Sequence, residues 1–360
     1  MSVIKTRLGV LAAAVCALSW QTSVRAETKA APSDAAAAGL RFAPETAASL
    51  KHVEAAKKLA GQDLQPPLFL CQPDSLLTVK KALEIGSQQW VEPTKAFDNL
   101  FYVGNEFVGV WVLQTSGGLI LFDATSSAQD AEQKLVPGLV KLGLRPADIK
   151  YVVVTHGHWD HYGGAAYLQK TFGAHIALGA ADWDLIEKLS PSSPEIADHP
   201  APSRDIALVD GQKLVLGDTS VTIRITPGHT PATVSAIVPA REGNKTYPLS
   251  LFGSFAFPSS YEPTEKVGGL RKYDASVRRF SEESKRARTV GILNTHVFAD
   301  GTLARLAAAR ARKVGEPNSF LIGAPVVARY YGVLHECLQA ALARPETVPD
   351  LSKLTKTAQK

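Results

Sequence analysis

Four side chains able to ligate a metal fall within six residues of the run Thr155-His156-Gly157-His158-Trp159-Asp160-His161-Tyr162-Gly163-Gly164. The run follows directly on the apolar stretch Tyr151-Val152-Val153-Val154, which reads as a buried strand. The end of a strand is where layered α/β folds place their sites. In an extended loop His156 and His158 alternate onto one side, leaving Asp160 and His161 to face a neighbouring position. The chain has nine histidines, and three of them crowd into this segment. Such crowding argues against ordinary core or surface roles.

Two further histidines stand in similar settings. His229 lies in Thr226-Pro227-Gly228-His229-Thr230-Pro231, after the strand-like Val221 to Ile225, and His296 follows the apolar run Val290-Gly291-Ile292-Leu293. Each sits at a strand end, with Pro, Gly or Thr shaping the turn. His52, His175, His199 and His335 have no such company and read as structural. Zinc accepts imidazole nitrogen and carboxylate oxygen, and a catalytic site needs about three protein ligands with one position open. Six candidate ligands therefore suit two ions better than one.

Short apolar runs bounded by Gly and polar turns predict strands at Phe101 to Val103, Val108 to Leu113 and Leu119 to Phe122. A helix is predicted over Gln129 to Leu142, the strand Tyr151 to Val154 follows, and helices come near 164–171 and 181–189. A second strand series covers 206–209, 213–216, 221–225, 233–238 and 249–252. Helices near 275–286, 302–312 and 325–343 close the unit. Strands followed by helices, occurring twice, suggest two sheets face to face with helices outside. Upstream, residues 27–45 are Ala-rich with Pro32 and Pro44, residues 45–59 have helical spacing, and Pro66-Pro67 and Pro93 punctuate an irregular arm. The expected division is a leader at 1–26, an N-terminal linker and helical arm at 27–98, a catalytic domain at 99–345 and a tail at 346–360.

The leader reading rests on Lys5 and Arg7, the short apolar run Leu8 to Trp20, and Val24-Arg25-Ala26 as a cleavage site after Ala26. It implies a periplasmic or secreted protein; a lipoprotein anchored at Cys16 is the alternative. The apolar run is too short for a comfortable membrane span, so no membrane association is expected after cleavage. The formal charge is +5. Residues 1–26 hold three cations, Lys5, Arg7 and Arg25, and no acid, so removing them leaves +2. The basic balance therefore gives no ground for a nucleic-acid partner. Basic clusters such as Lys285-Arg286-Ala287-Arg288 read as solvated helix faces. Beyond the leader, Cys71 and Cys337 are the cysteines that remain. An oxidising compartment permits their pairing, which would pin the arm to the last helix; two unpaired buried thiols are the other reading.

The pattern His-x-His-x-Asp-His at 156–161, the later Gly228-His229 and the strand-end His296 resemble the metallo-β-lactamase superfamily from about Leu100 onward. The resemblance implies an α/β fold, a four-layer αββα sandwich with the metals at one sheet edge, here with an extra N-terminal arm. It implies two zinc ions, one on His156, His158 and His229, the other on Asp160, His161 and His296. Asp123, ending the strand Leu119 to Phe122, matches the family's strand-end Asp and would support a ligand from behind; a plain turn residue is its other reading.

Glyoxalase-, lactonase- and phosphodiesterase-like members place a metal-bridging Asp after the strand that here is Leu249 to Phe252, whereas this chain has Ser254. With Asp-His-His on the second ion and the run at 226–231, that substitution resembles the third subclass of the class B β-lactamases. The implied activity is opening of a β-lactam ring by a zinc-bound hydroxide that Asp160 orients as the catalytic carboxylate. Ser254 and Trp159 are the expected contacts to a small-molecule substrate, and antibiotic resistance would be the consequence. Ala256 departs from the pattern, for that subclass often has a second Ser there to hold the substrate carboxylate. Hydrolysis of a non-antibiotic lactone, ester or amide on the same site is therefore the alternative, and a non-catalytic zinc-binding protein a more distant one. The segment 258–269, rich in Pro, Gly and Ser, reads equally as a flap over the site or a plain connector. Nothing in the sequence indicates the oligomeric state.

Overall fold

The computed structural model describes residues 44–73, 89–188, 199–256 and 266–345. The leader, most of the lead-in and the C-terminal tail lie outside the described residues, as do residues 258–265 of the flap-like segment.

Strand β3 (Gly109–Thr115) shows how the layers arise. Trp111 and Leu113 point into one cluster while Val110 and Val112 point into another, and in β4 (Gly118–Phe122) Ile120 and Phe122 separate from Leu119 and Leu121 in the same way. Successive side chains alternate across a strand. A run that is apolar at every position therefore belongs to a sheet covered on both faces. Seven strands, β1 (Thr94–Phe97), β2 (Leu100–Gly104), β3, β4, β5 (Ile149–Val153), β6 (His175–Gly179) and β7 (Ile206–Leu208), form the first sheet in that order. Its first half is antiparallel and, from β4 to β7, its second half is parallel. The second sheet has five strands in the order β12-β11-β10-β9-β8, namely Gly291–Leu293, Lys245–Leu251, Val234–Glu242, Thr219–Ile225 and Lys213–Leu216.

The two sheets meet through Trp111, Leu113, Ile120, Phe122 and Val153 on one side and Val221, Ile223, Ala236, Val238, Leu249 and Leu251 on the other. Outside the first sheet, the helical segment 128–141 and the helices Ala165–Phe172 and Ala180–Lys188 set Leu135, Leu139, Leu168, Trp183 and Ile186 against its outer face. Outside the second, the helices Ala47–Ala60, Lys266–Arg286 and Ala324–Ala343 enclose Ile237, Phe252, Phe280, Tyr331 and Leu338. The αββα expectation holds.

The arm keeps its expected helix and differs from its sequence reading in one place. Residues 94–97, assigned to it, form the first strand and pair with β2. Helix Ala47–Ala60, capped by reciprocal bonds between Thr46 and Ser49, belongs to the outer helical layer and packs on Ala324–Ala343. Cys71 and Cys337 form a disulfide (S–S 2.05 Å), and Arg344 binds Glu45 at 2.8 Å. The third helix of that layer starts at Lys266, well before the expected 275, so residues 266–269 of the flap-like segment are its first turn. No helix among the described residues is long and apolar enough to cross a membrane.

Candidate metal centre

The ligand-bearing loops converge where the two sheets touch. Val234 N donates to Thr155 O at 2.7 Å, tying the end of β5 to the start of β10. Beyond Val154 the chain bends through residues 155–158, with His158 itself extended, then turns into the short helix Trp159–Tyr162, so Asp160 and His161 leave the loop in another direction from His156 and His158. This turn is held against residues 124–127 so closely that a Cβ on Gly163 would lie 2.0 Å from Ser126 O. His229 follows Gly228, whose φ of 140° and contact with the Tyr273 backbone both exclude a side chain. His296 follows β12, where Asn294 Oδ1 accepts His296 N at 2.8 Å and Asn294 O accepts Trp111 Nε1 at 2.9 Å.

Two groups of three result, His156 with His158 and His229, and Asp160 with His161 and His296. His229 Nε2 lies 3.1 Å from His156 Nε2 and 3.0 Å from His158 Nδ1. His161 Nε2 lies 3.0 Å from His296 Nε2, and Asp160 Oδ2 lies 3.4 and 3.6 Å from those two nitrogens. Ligands around a tetrahedral zinc at about 2.0–2.1 Å stand roughly 3.3 Å apart, so both groups have the spacing an ion requires.

The tautomers, fixed by the hydrogen bonds behind each ring, make the same point. His156 Nδ1 donates to Gly253 O at 3.0 Å and His296 Nδ1 to Phe107 O at 3.1 Å, which turns each Nε2 lone pair into the centre. A hydrogen on His229 Nε2 could serve one of its two neighbours, not both. A cation would satisfy all three. Behind the second group His161 Nδ1 is 2.6 Å from Asp123 Oδ2, which also accepts Thr155 Oγ1, while Asp123 Oδ1 accepts Thr155 N. Such outer carboxylates hold a ligating ring in place and raise its basicity.

Charge follows the same division. Burial, then neighbouring imidazoles, keeps His156 and His229 well below the ordinary imidazole range. Burial also brings His158 and His296 down to about 4, against the pull of Asp160. For His161 burial acts downward too, but the carboxylates of Asp160 and Asp123 outweigh it and push the ring up to about 10. Burial alone would raise Asp160, yet His161, His296 and His158 hold it well below the usual carboxylate range. The first group is thus three neutral imidazoles. In the second, one proton on His161 bridges the two close nitrogens, and a metal ion would take that proton's place.

All six candidate ligands and Asp123 are therefore assembled in one place. Ser254 is buried, its hydroxyl turned toward Ala256 O at 3.5 Å and its carbonyl accepting Tyr273 Oη at 3.1 Å. Trp159 is half-buried, with its ring stacked on His199 at 4.5 Å. The histidines read as structural pair elsewhere: His52 with Glu336, His175 with Asp205 and His335 with Asp274. Sequence reading did not single out Asp182, Asn294, Phe107 or the Gly253 carbonyl. Asn294 alone carried a signal, a short amide two residues before a strand-end His.

A two-sheet sandwich with paired His/Asp groups at its edge defines a class, the metallo-hydrolases. The family model described as the metallo-beta-lactamase superfamily matches residues 103–241. Among solved structures, BJP-1, a subclass B3 metallo-beta-lactamase of Bradyrhizobium japonicum, is 30% identical, covering 69% of this chain and 92% of that one with a TM-score of 0.57. FEZ-1 of Legionella gormanii superposes with a TM-score of 0.60 at 19% identity over 76% of this chain and 98% of its own, a likeness of fold. A probable metallo-hydrolase of Burkholderia pseudomallei is 35% identical over 108 residues, 29% of this chain. A hydroxyacylglutathione hydrolase of Cereibacter sphaeroides is 29% identical over 127 residues, 35% of this chain. The matches span only 35% and 44% of those two relatives' own length. The chain belongs to the metallo-β-lactamase superfamily.

Proposed function

We propose that this chain is an exported dinuclear zinc hydrolase that opens β-lactam rings by cleaving the amide C–N bond. The observation that carries the reading is the make-up of the second group: Asp160, His161 and His296 converge within ligand spacing, and Ser254 rather than a carboxylate follows β11. The likeness to a subclass B3 enzyme at 30% identity over 92% of its length supports it. His156, His158 and His229 would hold one zinc, and Asp160, His161 and His296 the other.

Bound zinc supplies a water of lowered pKa and a Lewis acid for the substrate carbonyl. The protein's part is to present neutral nitrogens, which the carbonyls of Gly253 and Phe107 secure by holding the hydrogens on the far side of His156 and His296. Asp160 stays ionised between the imidazoles and is the carboxylate available to orient water and pass on its proton. Gly253-Ser254-Phe255 is not a Gly-x-Ser-x-Gly elbow, so Ser254 is not read as a nucleophile; with Trp159 it is the residue we assign to substrate contact.

Export is supported by the leader-like residues 1–26 and by the Cys71–Cys337 disulfide, which belongs to oxidising compartments. Ala256 favours the second reading, a lactone, ester or amide hydrolase whose substrate lacks the carboxylate. The test is hydrolysis of a chromogenic cephalosporin and a carbapenem by the zinc-loaded protein, with His158→Ala as control. Turnover abolished by chelator and by the substitution establishes the lactamase. Two zincs bound without turnover sinks it and favours the second reading, to be pursued on a lactone and ester panel.

A further inference from the structure

Asp182 lies in helix Ala180–Lys188, outside every motif, and is fully buried. Its carboxylate reaches two ligand loops at once. Oδ2 accepts Gly157 N at 2.9 Å, from the peptide between His156 and His158. The same oxygen accepts Thr230 Oγ1 at 2.6 Å, from the residue after His229, and Oδ1 accepts Ala232 N at 2.7 Å. Thr233 Oγ1 in turn bonds Thr230 Oγ1 at 2.7 Å and accepts Thr230 N, closing the His229 loop upon itself. Gly157 fits tightly: a Cβ there would stand 3.1 Å from Ile186 Cγ2 and 3.3 Å from Asp182 O.

We propose that Asp182 is the positioning residue of the first metal group, a buried carboxylate that clamps the His156–His158 loop to the His229 loop. The inference rests on the reading of that group as a zinc site. The two loops come from different sheets and share no covalent constraint, so the relative placement of His229 and the other two rings depends on what bridges them. Asp123 performs the equivalent task for His161 alone, by touching the ring itself; Asp182 works through backbone amides on either side of the ligands. No basic side chain among the described residues is ion-paired with it, and a buried charge is costly unless met. Burial raises the carboxyl, and the three oriented donors of Thr230, Ala232 and Gly157 draw it back toward the charged form.

Asp182→Asn is a sharp test because an amide cannot replace this carboxylate in either orientation. Turned one way its NH2 faces the Ala232 N–H; turned the other it faces the Gly157 N–H and the Thr230 hydroxyl. Outer partners of metal ligands affect metal affinity by about 10–100-fold. Stepwise competition with a chromogenic chelator, using zinc alone, resolves two affinities in the full chain, which His158→Ala and His296→Ala assign to the first and second groups. The expected result is a 10- to 100-fold loss in the first affinity of Asp182→Asn, with the second unchanged. A general weakening of the fold would not select one site. Thr230→Val, which removes one donor and keeps the shape, should show a smaller loss in the same affinity, and it decides the matter if Asp182→Asn does not fold. Both affinities intact in the two variants, or both lowered equally, overturns the assignment. Fewer than two zincs on the unsubstituted protein overturns the two-zinc reading itself, whatever the variants do.

Discussion

His161 Nδ1 lies 2.6 Å from Asp123 Oδ2, and neither side chain has any exposed surface. Asp123 adopts a φ of 70°, a left-handed conformation that Asp tolerates better than most residues. It there closes the end of β4 onto Thr155, the first residue of the ligand run. One carboxylate thus joins the strand end, the motif loop and a candidate ligand.

Replacing that carboxylate should be felt at the second metal. In Asp123→Asn the amide cannot accept from His161 and both Thr155 donors together. The affinity of the Asp160–His161–His296 group for zinc should fall about 10–100-fold, with the first group less affected. Zinc titration against a competing chelator measures it, and an unchanged second affinity would refute the role.

Much of this was legible from the chain. Alternation and continuous apolar runs located β2 to β5, and the ligand run located the site, because both signals are local. What was missed depends on tertiary packing. Strand β1 is disguised by Pro93 and Lys95 and holds its place because Ala96 and Phe97 bury against the sheet core. The helix Lys266–Arg286 begins through Gly268 and Gly269, poor helix formers, because Leu270 and Tyr273 are buried under the second sheet. Asp182 reads as one more acidic residue in an amphipathic helix. Its partners are 25, 48 and 50 residues away, and no pattern in the chain links them.

Acid should destabilise the metal-free protein between about pH 6.5 and 4. His158 and His296 sit at about 4 when folded, against an ordinary 6.5. The unfolded chain therefore takes up protons there that the folded chain refuses. Their contribution is present above pH 6.5 and is lost as pH falls through about 4, at a cost of roughly 3 kcal/mol for each. His161, pushed up to about 10, is protonated in the folded state and largely so in the unfolded chain below pH 6.5, and adds little slope there; its own contribution is lost as pH rises from 6.5 through about 10. Thermal melts of chelator-treated protein from pH 8 to 4 read this out. A melting temperature flat from 6.5 to 4 would contradict it.

The disulfide should matter to stability and not to metal binding. Cys71 and Cys337 are 266 residues apart and lie in the outer helical layer, among residues other than the ligands. Cys71→Ala with Cys337→Ala should lower unfolding free energy by about 2–4 kcal/mol, seen in urea titrations. Both zinc affinities should remain as in the parent protein, and a change in either would mean that the arm reaches the centre.

Ala256 offers a direct comparison of the two substrate readings. It stands two residues beyond Ser254 and is only partly buried, so a hydroxyl added there can meet solvent or ligand without displacing core atoms. A hydrogen bond to a charged acceptor contributes about 1.5–3 kcal/mol. If the substrate presents a carboxylate to this wall, Ala256→Ser should lower KM for a cephalosporin by roughly tenfold or more, with kcat nearly constant, the signature of uniform binding. A substrate without that group gains nothing from the change. Lowered KM on cephalosporins with no change on neutral lactones and esters would mark the pocket as one shaped for β-lactams. An unaltered KM on both would leave the carboxylate without a partner at this position and favour the lactone or ester reading.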